Sequence, residues 1–277
     1  MEVIHTISAF RQARAQQGQL GLVPTMGYLH AGHLSLVECA GSECTAVAVS
    51  IFVNPTQFGP NEDFADYPRD LERDLNLLRT AGVDLVFVPD VAEIYPEGFS
   101  SAIEVTGVTE MLEGVARPSH FRGVATVVGK LFNIIQPTCA YFGQKDAQQA
   151  VVIRKMVRDL NMPVEVIVAP TVREPDGLAL SSRNWYLTPT EREAATVLHR
   201  ALTHAQQQYT AGVRDGAALR ATMRAILDAE PLARTEYVSA ADPLTLRELD
   251  QVGERGALLS MAVRIGKTRL IDNVILK

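Results

Sequence analysis

Cysteine is scarce in this sequence, long apolar runs are missing, and basic residues are outnumbered by acidic ones. The cysteines, Cys39, Cys44 and Cys139, are too few and scattered for a disulfide framework, so we expect reduced thiols. No apolar run reaches the roughly 18 residues of a transmembrane helix. The formal charge of −6, from 26 basic and 32 acidic residues, argues against a broad surface for nucleic acid or acidic membrane. Any phosphate site must therefore be local.

Two common nucleotide-binding signatures are also missing. No Gly-x-Gly-x-x-Gly fingerprint occurs, and the Gly266-Lys267-Thr268 segment is not a Walker loop, because Met261 stands where that pattern needs glycine. The first residues carry no basic stretch followed by an apolar one, so we expect a cytoplasmic protein. The content of 47% hydrophobic and 21% charged residues is typical of an ordered globular chain.

Strand and helix patterns alternate through the first part of the 277 residues. The apolar, β-branched run at 45–53 is typical of a central parallel strand that is covered on both faces. The alternation predicts an α/β fold, with a Rossmann-like doubly wound parallel sheet over residues 1–172 that binds ligands beyond the carboxyl ends of its strands. We expect strands at 21–23, 45–53, 83–88, 139–142 and 164–168, and helices at 32–40, 66–81, 123–136 and 146–161.

The pattern changes after about residue 172. Thr188, Pro189 and Glu191 predict a helix start with a capping box, and we expect one helix from there to Tyr209. A second helix is expected at 217–229. Strands are expected at 236–239, 257–263 and 270–275. These elements predict a smaller C-terminal α+β lid domain over residues 173–277.

Two histidines, His30 and His33, flank Gly32 where a predicted helix follows a predicted strand. Backbone N–H groups and the partial positive charge of a helix start favour an anion, and imidazoles can donate hydrogen bonds to phosphate oxygens. The segment therefore suits a triphosphate. Two alternatives stay open at this point: a cap or core role for the histidines, and a zinc site with Cys39 and Cys44, whose spacing is not that of a zinc knuckle.

Polar side chains follow two more predicted strands. Asn54 and Gln57 come after the strand at 45–53, where amides can recognise hydroxyl and carboxylate groups without adding charge. The alternative for Asn54 is turn formation, because Asn-Pro is a common turn initiator. Lys145 follows the strand at 139–142 and offers a charge for phosphate, with Asp146 as a helix cap or ribose contact.

Three further groups of polar residues are candidates for the site. The stretch Ser181–Arg183 offers two hydroxyls and a guanidinium for β- and γ-phosphates, although a plain surface loop is the alternative. Residues 117–123 bring two arginines and a histidine before a helix and could act as a cover. The acidic residues Asp70, Glu72 and Asp74 are candidate magnesium ligands, but such a charge run is more typical of a solvated helix face.

Taken in order, these segments resemble the pantothenate synthetase family of the nucleotidylyltransferase superfamily, which shares its His-x-Gly-His motif with class I aminoacyl-tRNA synthetases. The resemblance runs from Gly21 to Thr188. Leu180 stands where some family members have methionine, and Gln144 where many have glutamate. The matching segments are Val23–Gly27, His30–His33, Ile51–Phe58, Phe142–Asp146 and Leu180–Asn184.

The resemblance implies ATP-dependent condensation of (R)-pantoate with β-alanine to pantothenate through a pantoyl adenylate, with release of AMP and pyrophosphate. It implies ATP as co-substrate, Mg²⁺ with ATP, and a homodimer, while no nucleic acid or membrane partner is expected. One alternative is a nucleotidylyltransferase that acts on a phosphorylated small molecule. Another is a nucleotide-binding regulatory protein without turnover.

By carry-over, the resemblance assigns catalysis to His33 as proton donor, His30 on the phosphates, and the cations Lys145 and Arg183. It gives pantoate and β-alanine contacts to Gln57, Gln149 and Asn54, and it identifies no protein ligand of magnesium. The residues expected to contact ATP are Pro24, Thr25, Met26, Gly27, Tyr28, Leu29, His30, Ala31, Gly32, His33, Gly143, Gln144, Lys145, Asp146, Val172, Leu180, Ser181, Ser182 and Arg183.

Overall fold

The computed structural model describes residues 1–60 and 62–277. Within these residues, six strands form one parallel sheet in the order β1-β4-β3-β2-β5-β6. The strands are β1 (Glu2–Ile4), β2 (Leu20–Thr25), β3 (Ala46–Ile51), β4 (Leu85–Phe87), β5 (Cys139–Gly143) and β6 (Glu165–Ala169).

Helices connect these strands. They are α1 (Ile7–Arg14), α2 (Ala31–Glu43), α3 (Leu71–Thr80), α4 (Val91–Ile94), α5 (Glu113–Ala116), α6 (His120–Ile135) and α7 (Ala147–Asp159). Short 3₁₀ helices occupy Pro55–Gln57 and Gln144–Asp146.

The strand order confirms the predicted doubly wound sheet. Strand β3, predicted from its apolar run, lies third in the order, and Ala46–Ser50 are buried. After the edge strand β1, which pairs with β4, the chain adds β2, β3 and β4 in one direction and β5 and β6 in the other, so the switch point lies between the neighbours β2 and β5. Ligand sites of such sheets lie beyond the carboxyl ends of the strands at this point, where β2 ends at Thr25 and β5 at Gly143.

The helices predicted at 32–40 and 123–136 differ from α2 and α6 by up to three residues at an end, and two other helix predictions were wrong by more. The helix predicted to start at residue 66 begins at Leu71, because Asp70 caps it by accepting the Arg73 N–H and because Pro68 disfavours a helical Tyr67. The single helix predicted from residue 189 is two helices, α8 (Pro189–Ala194) and α9 (Val197–Thr210).

The C-terminal elements form a three-stranded antiparallel sheet in the order β7-β8-β9. Its strands, β7 (Ala233–Ala241), β8 (Ala257–Ile265) and β9 (Thr268–Leu276), include the predicted ones and are longer. The predicted capping box at Thr188 and Glu191 starts α8. Apolar side chains of α9, of α10 (Gly216–Asp228) and of this sheet pack into one core cluster.

Contacts divide the described chain into two compact units. The first contains residues 1–143 and 149–170, and the second contains residues 144–148 and 171–277. The boundary predicted at residue 172 stays a prediction, and the contacts assign the short segment after β5 to the second unit. Within the described residues, no helix is long and apolar enough to cross a membrane.

Candidate active site

The loop between β2 and α2 has a left-handed backbone at two consecutive residues, Gly27 with φ of 85° and Tyr28 with φ of 50°. Such a conformation is common for glycine but uncommon for tyrosine, so contacts from elsewhere must hold it. All ten residues from Pro24 to His33, predicted to contact ATP, lie in the end of β2, in this loop or in the first turn of α2.

Asp74 on α3 holds this loop. Its carboxylate is only 1% exposed and accepts the backbone N–H groups of Tyr28 at 2.6 Å and Leu29 at 2.8 Å. Arg73 donates to the Leu29 carbonyl at 2.9 Å, and its guanidinium lies over the Tyr28 ring. Burial raises the pKa of Asp74, and the two backbone N–H groups oppose that rise. These contacts make Asp74 a loop anchor and contradict a solvated face at this residue.

The two histidines of the motif cap α2 in a reciprocal arrangement. The backbone N–H of Gly32 donates to His30 Nδ1 at 3.1 Å, and the backbone N–H of His30 donates to His33 Nδ1 at 3.2 Å. Because each Nδ1 accepts a hydrogen bond, the neutral rings carry their proton on Nε2. Their centroids are 4.0 Å apart. The cap interpretation is therefore confirmed, and it is compatible with phosphate binding, because it makes both Nε2 atoms donors.

The zinc interpretation finds no support in the geometry. Cys39 Sγ lies 3.8 Å from the Glu43 carboxylate, and Cys44 Sγ lies 3.5 Å from the Tyr141 hydroxyl. Over residues 1–60 and 62–277, no three or more His, Cys, Asp or Glu side chains are grouped in a way that could hold a metal ion.

Asn54 lies three residues after the end of β3, where it caps the 3₁₀ helix at Pro55–Gln57, and it is 1% exposed. Its Nδ2 donates to Gln57 Oε1 at 3.1 Å and to the Gly123 carbonyl at 3.2 Å. Its Oδ1 accepts from the hydroxyls of Thr56 at 2.9 Å and Tyr95 at 2.8 Å. With both Nδ2 donors and Oδ1 engaged, Asn54 is placed to orient Gln57, and its predicted contact with substrate stays a prediction.

Gln57 is held through both its side chain and its backbone. Its Nε2 donates to the Met26 sulfur at 3.3 Å, which brings together two of the predicted site residues. Its backbone carbonyl accepts from His120 Nδ1 at 2.9 Å and from Arg117 at 3.3 Å. Gln149, the other predicted pantoate contact, lies partly buried on α7.

Arg117, which contacts the Gln57 carbonyl, forms a bidentate ion pair with Glu62. Arg117 Nε and Nη2 donate to the two Glu62 carboxylate oxygens at 2.7 and 2.6 Å. Burial raises the pKa of Glu62, but the hydrogen bond and charge of Arg117 outweigh burial and leave that pKa below its ordinary value. The charge of Arg117 is thus already matched inside the protein.

In the second unit, Lys145 lies in the 3₁₀ helix that follows β5. Its side chain is 20% exposed, and its Nζ lies 3.3 Å from the Asp146 carboxylate. The ammonium group is therefore close to the surface and oriented by a neighbouring acid. The structure describes Asp146 as an ion-pair partner of Lys145, and its predicted ribose contact stays a prediction.

The other predicted phosphate contacts lie where a short turn starts a 3₁₀ helix at Ser182–Tyr186. Ser181 Oγ caps it by accepting the Arg183 N–H at 3.2 Å. The Leu180 N–H donates to the Val172 carbonyl at 3.0 Å, which joins two predicted ATP contacts. This stretch is therefore an ordered, capped turn.

The supporting roles of several residues were not predicted, although Asp74 was named as a candidate magnesium ligand and Arg117 as part of a candidate cover. The anchoring role of Asp74 could have been found, because Asp74 lies three residues after Leu71 and four before Leu78, on the predicted apolar face of its helix. Tyr95 and the pair of Arg117 and Glu62 carry no such signal, because they act through contacts that join distant parts of the chain.

The fold and the loop define a class of protein. A Rossmann-like sheet with a His-x-Gly-His helix start at its switch point is typical of α/β proteins that bind nucleotides.

Comparisons with known proteins identify the family. The family model for pantoate-beta-alanine ligase matches residues 2–275. Pantothenate synthetases from Chloroflexus aggregans and Roseiflexus castenholzii are 68% and 64% identical, over the full length of this chain and of each relative. The chain therefore belongs to the pantoate-beta-alanine ligase family, and it is a ligase.

Two solved structures support this membership. The pantothenate synthetase from Thermus thermophilus is 50% identical, with a TM-score of 0.95 over 99% of both chains. The pantoate-beta-alanine ligase from Francisella tularensis, solved with beta-gamma ATP and beta-alanine, is 38% identical, with a TM-score of 0.80 over 99% of this chain and 97% of that one.

Proposed function

We propose that this chain condenses (R)-pantoate with β-alanine to pantothenate through a pantoyl adenylate, releasing AMP and pyrophosphate. The observation that carries the proposal is the reciprocal histidine cap, which makes the Nε2 atoms of His30 and His33 hydrogen-bond donors at the switch point. Family membership and the ligands of the Francisella tularensis relative support the same reaction.

In the first step, a carboxylate oxygen of pantoate attacks the α-phosphorus of ATP. The new P–O bond forms as the bond to the β-phosphate bridging oxygen breaks, and pyrophosphate leaves with the electron pair. The step needs no covalent protein nucleophile. It needs hydrogen-bond donors and cations that stabilise the growing charge, and we assign these roles to His30, His33, Lys145 and Arg183.

The form of the histidine rings bears on the role of His33. An imidazolium carries protons on both nitrogens, and His33 would then lose the acceptor that receives the His30 N–H. The cap therefore favours hydrogen-bond donation from Nε2 over transfer of a proton. Pyrophosphate can leave as an anion without that proton.

In the second step, the amine of β-alanine attacks the acyl carbon of the adenylate. A C–N bond forms, the bond from that carbon to the AMP oxygen breaks so that AMP leaves with the electron pair, and the neutral attacking amine gives up one proton to solvent. We assign Gln57 and Gln149 to the pantoyl group, with Gln57 held by Asn54. Amides can orient the pantoyl hydroxyls and the acyl oxygen without adding charge.

Magnesium and a homodimer belong to the proposal as well. The described residues offer no cluster of acidic side chains for a metal, and Asp74 already accepts two backbone N–H groups. These residues fit a Mg²⁺ ion whose ligands are ATP phosphates and water molecules rather than several protein side chains. The ion would neutralise phosphate charge.

A nucleotidylyltransferase acting on a phosphorylated acceptor is the weaker candidate. Such an enzyme would need free cations near Gln57 for the second phosphate. Arg117, which contacts the Gln57 carbonyl, is already paired with Glu62, so it does not offer a phosphate subsite. The full-length family match also favours the ligase over a regulatory protein without turnover.

Exchange of labelled pyrophosphate into ATP, with magnesium and without β-alanine, tests the adenylate step. We expect exchange only when pantoate is present, and we expect Lys145→Ala to reduce it about a hundred- to thousand-fold. Lys155→Ala is the matched control, because Lys155 also pairs with an aspartate but lies in the later part of α7. Its exchange should equal that of the parent protein.

Exchange that proceeds without pantoate, or no exchange while ATP still binds, would contradict the proposal. A screen of phosphorylated acceptors would then test the transferase. If Lys145→Ala and Lys155→Ala behave alike, the reaction could stand, but the role of Lys145 would be wrong.

A further inference from the structure

Asn273 on β9 is a buried amide whose hydrogen bonds leave its own sheet. It is 4% exposed, and its Nδ2 donates to the backbone carbonyls of Gln144 at 3.0 Å and Lys145 at 2.8 Å. Its Oδ1 accepts from the Gln144 side chain at 2.9 Å. Three hydrogen bonds from one side chain thus converge on two consecutive residues of the 3₁₀ helix, from 128 positions away along the chain.

Both Nδ2 protons of Asn273 donate to backbone carbonyls, which fixes the orientation of the amide. Backbone carbonyls only accept hydrogen bonds, so the NH₂ end of the amide must face Gln144 and Lys145. A short 3₁₀ helix satisfies few of its own carbonyls, and buried carbonyls without partners are costly. Asn273 supplies those partners and fixes the peptide unit that carries the Lys145 side chain.

Asn273 is itself held in place by a buried ion pair. Asp272 is 2% exposed and binds the Arg173 guanidinium through both oxygens, at 2.6 and 2.8 Å. Asp272 also accepts the backbone N–H of Asn273 at 2.8 Å, and Arg173 donates to the Asn273 carbonyl at 3.3 Å. Arg173 further donates to the Gly177 carbonyl at 3.0 Å. The backbone of Asn273 is therefore held on both its N–H and its carbonyl side by the buried ion pair.

We infer that Asn273 is a positioning residue for Lys145, an inference that rests on the proposed role of Lys145 in adenylate formation. A lysine side chain is a long, flexible stem, so the place of its ammonium group depends on where its backbone is fixed. A displacement of about 1 Å at a reacting group can cost on the order of a hundredfold in rate. Asn273 acts through the backbone of Lys145 and not by contact with the reacting atoms.

The test compares Asn273→Ala and Asn273→Asp with Ser260→Ala in pantoate-dependent pyrophosphate exchange. Ser260 is the cross-strand partner of Asn273 on β8, is similarly buried, and has a hydroxyl without a hydrogen-bond partner among the described residues. All assays are run at a temperature where thermal unfolding shows each variant to be folded. We expect both Asn273 variants to lose roughly 10- to 100-fold in kcat, with the KM for ATP changed less than about threefold. Ser260→Ala should match the parent.

Asn273→Asp keeps the volume and the Oδ1 acceptor but replaces both donors with an oxygen. It therefore decides the question if Asn273→Ala does not fold. A folded Asn273→Asp with kcat within about twofold of the parent would overturn the inference.

A second readout separates positioning from general stability. In a Lys145→Ala background, assayed at high enzyme concentration, Asn273→Ala should reduce the remaining rate less than about threefold, because the group it positions is gone. If Asn273→Ala lowers the rate in this background by the same factor as in the parent protein, Asn273 acts on something other than Lys145, and the inference is overturned. If Lys145→Ala alone leaves exchange unchanged, the proposed role of Lys145 fails. If Lys145→Ala is severe and Asn273→Ala is not, only the present inference fails.

Discussion

His120, the first residue of α6, should make the stability of the protein depend steeply on pH. Its Nδ1 contacts the Gln57 carbonyl at 2.9 Å and must donate there, so in the neutral ring Nε2 is an acceptor. Nε2 faces an Arg117 nitrogen at 3.2 Å, which can only donate. A second proton on this ring would sit on Nε2 and point at the positively charged guanidinium of Arg117. Burial, followed by the charge of Arg117, lowers the pKa of His120 to about 4, although the Gln57 carbonyl, Glu62 and Glu113 oppose the shift.

The size of the effect follows from the difference between the folded and unfolded states. An unfolded histidine has a pKa of about 6.5, so about 2.5 pKa units separate the two states, which corresponds to about 3 kcal/mol. Because the folded pKa of His120 is the lower one, the stabilisation is fully present above about pH 6.5. It is lost as the pH falls through that value toward about 4, since the unfolded chain takes up the proton first.

Urea unfolding at about pH 7, 6, 5 and 4 measures this dependence for the parent and for His120→Asn, which cannot titrate. We expect the unfolding free energies of the two proteins to converge by about 3 kcal/mol across that range. Asn133→Ala is the control, because it removes a side-chain hydrogen bond from the same helix but no titrating group. The free energy of unfolding of Asn133→Ala should change with pH in the same way as that of the parent. Parallel curves for His120→Asn and the parent would refute the reasoning.

Two further changes test the supports of the loops. Asp74→Asn should lower the free energy of unfolding by about 2–3 kcal/mol and impair exchange, because the new amide keeps one acceptor oxygen and turns a donor toward one of the two N–H groups, that of Tyr28 or that of Leu29; parent-like urea unfolding and exchange would contradict this. Gly123→Ala should cost about 1–3 kcal/mol and raise the KM for pantoate roughly tenfold, because the new Cβ would lie 2.4 Å from the Thr56 carbonyl oxygen beside Gln57. An unchanged KM would mean that the backbone at Gln57 is not critical for pantoate.

The parallel sheet could be predicted because its signals are local. Strand β3 is indicated by its β-branched run, and α8 by Thr188, Pro189 and Glu191. Strand β1 and helix α1 went unpredicted because they are too short for a clear periodic pattern. The break between α8 and α9 was missed because nothing in the residues around Ala195 opposes a continuous helix.

The site was predictable where one segment carries the chemistry. The His-x-Gly-His motif is such a segment, although a cap made by two histidines departs from the usual Ser, Thr, Asp or Asn. Asn273 was missed because its hydrogen bonds to Gln144 and Lys145 join residues that no local pattern connects. The same holds for Arg117 and Glu62, which are 55 positions apart.

The reciprocal cap of α2 ties the charge state of two side chains to the folding of a helix end. If His30 were to become an imidazolium, its Nδ1 would turn from acceptor to donor and repel the Gly32 N–H that it now receives. The first turn of α2 would lose part of its cap, and the positive charge of the ring would oppose the helix dipole. Protonation of this ring would therefore loosen the first turn of α2 and disturb the donor geometry at the predicted phosphate site in a single event.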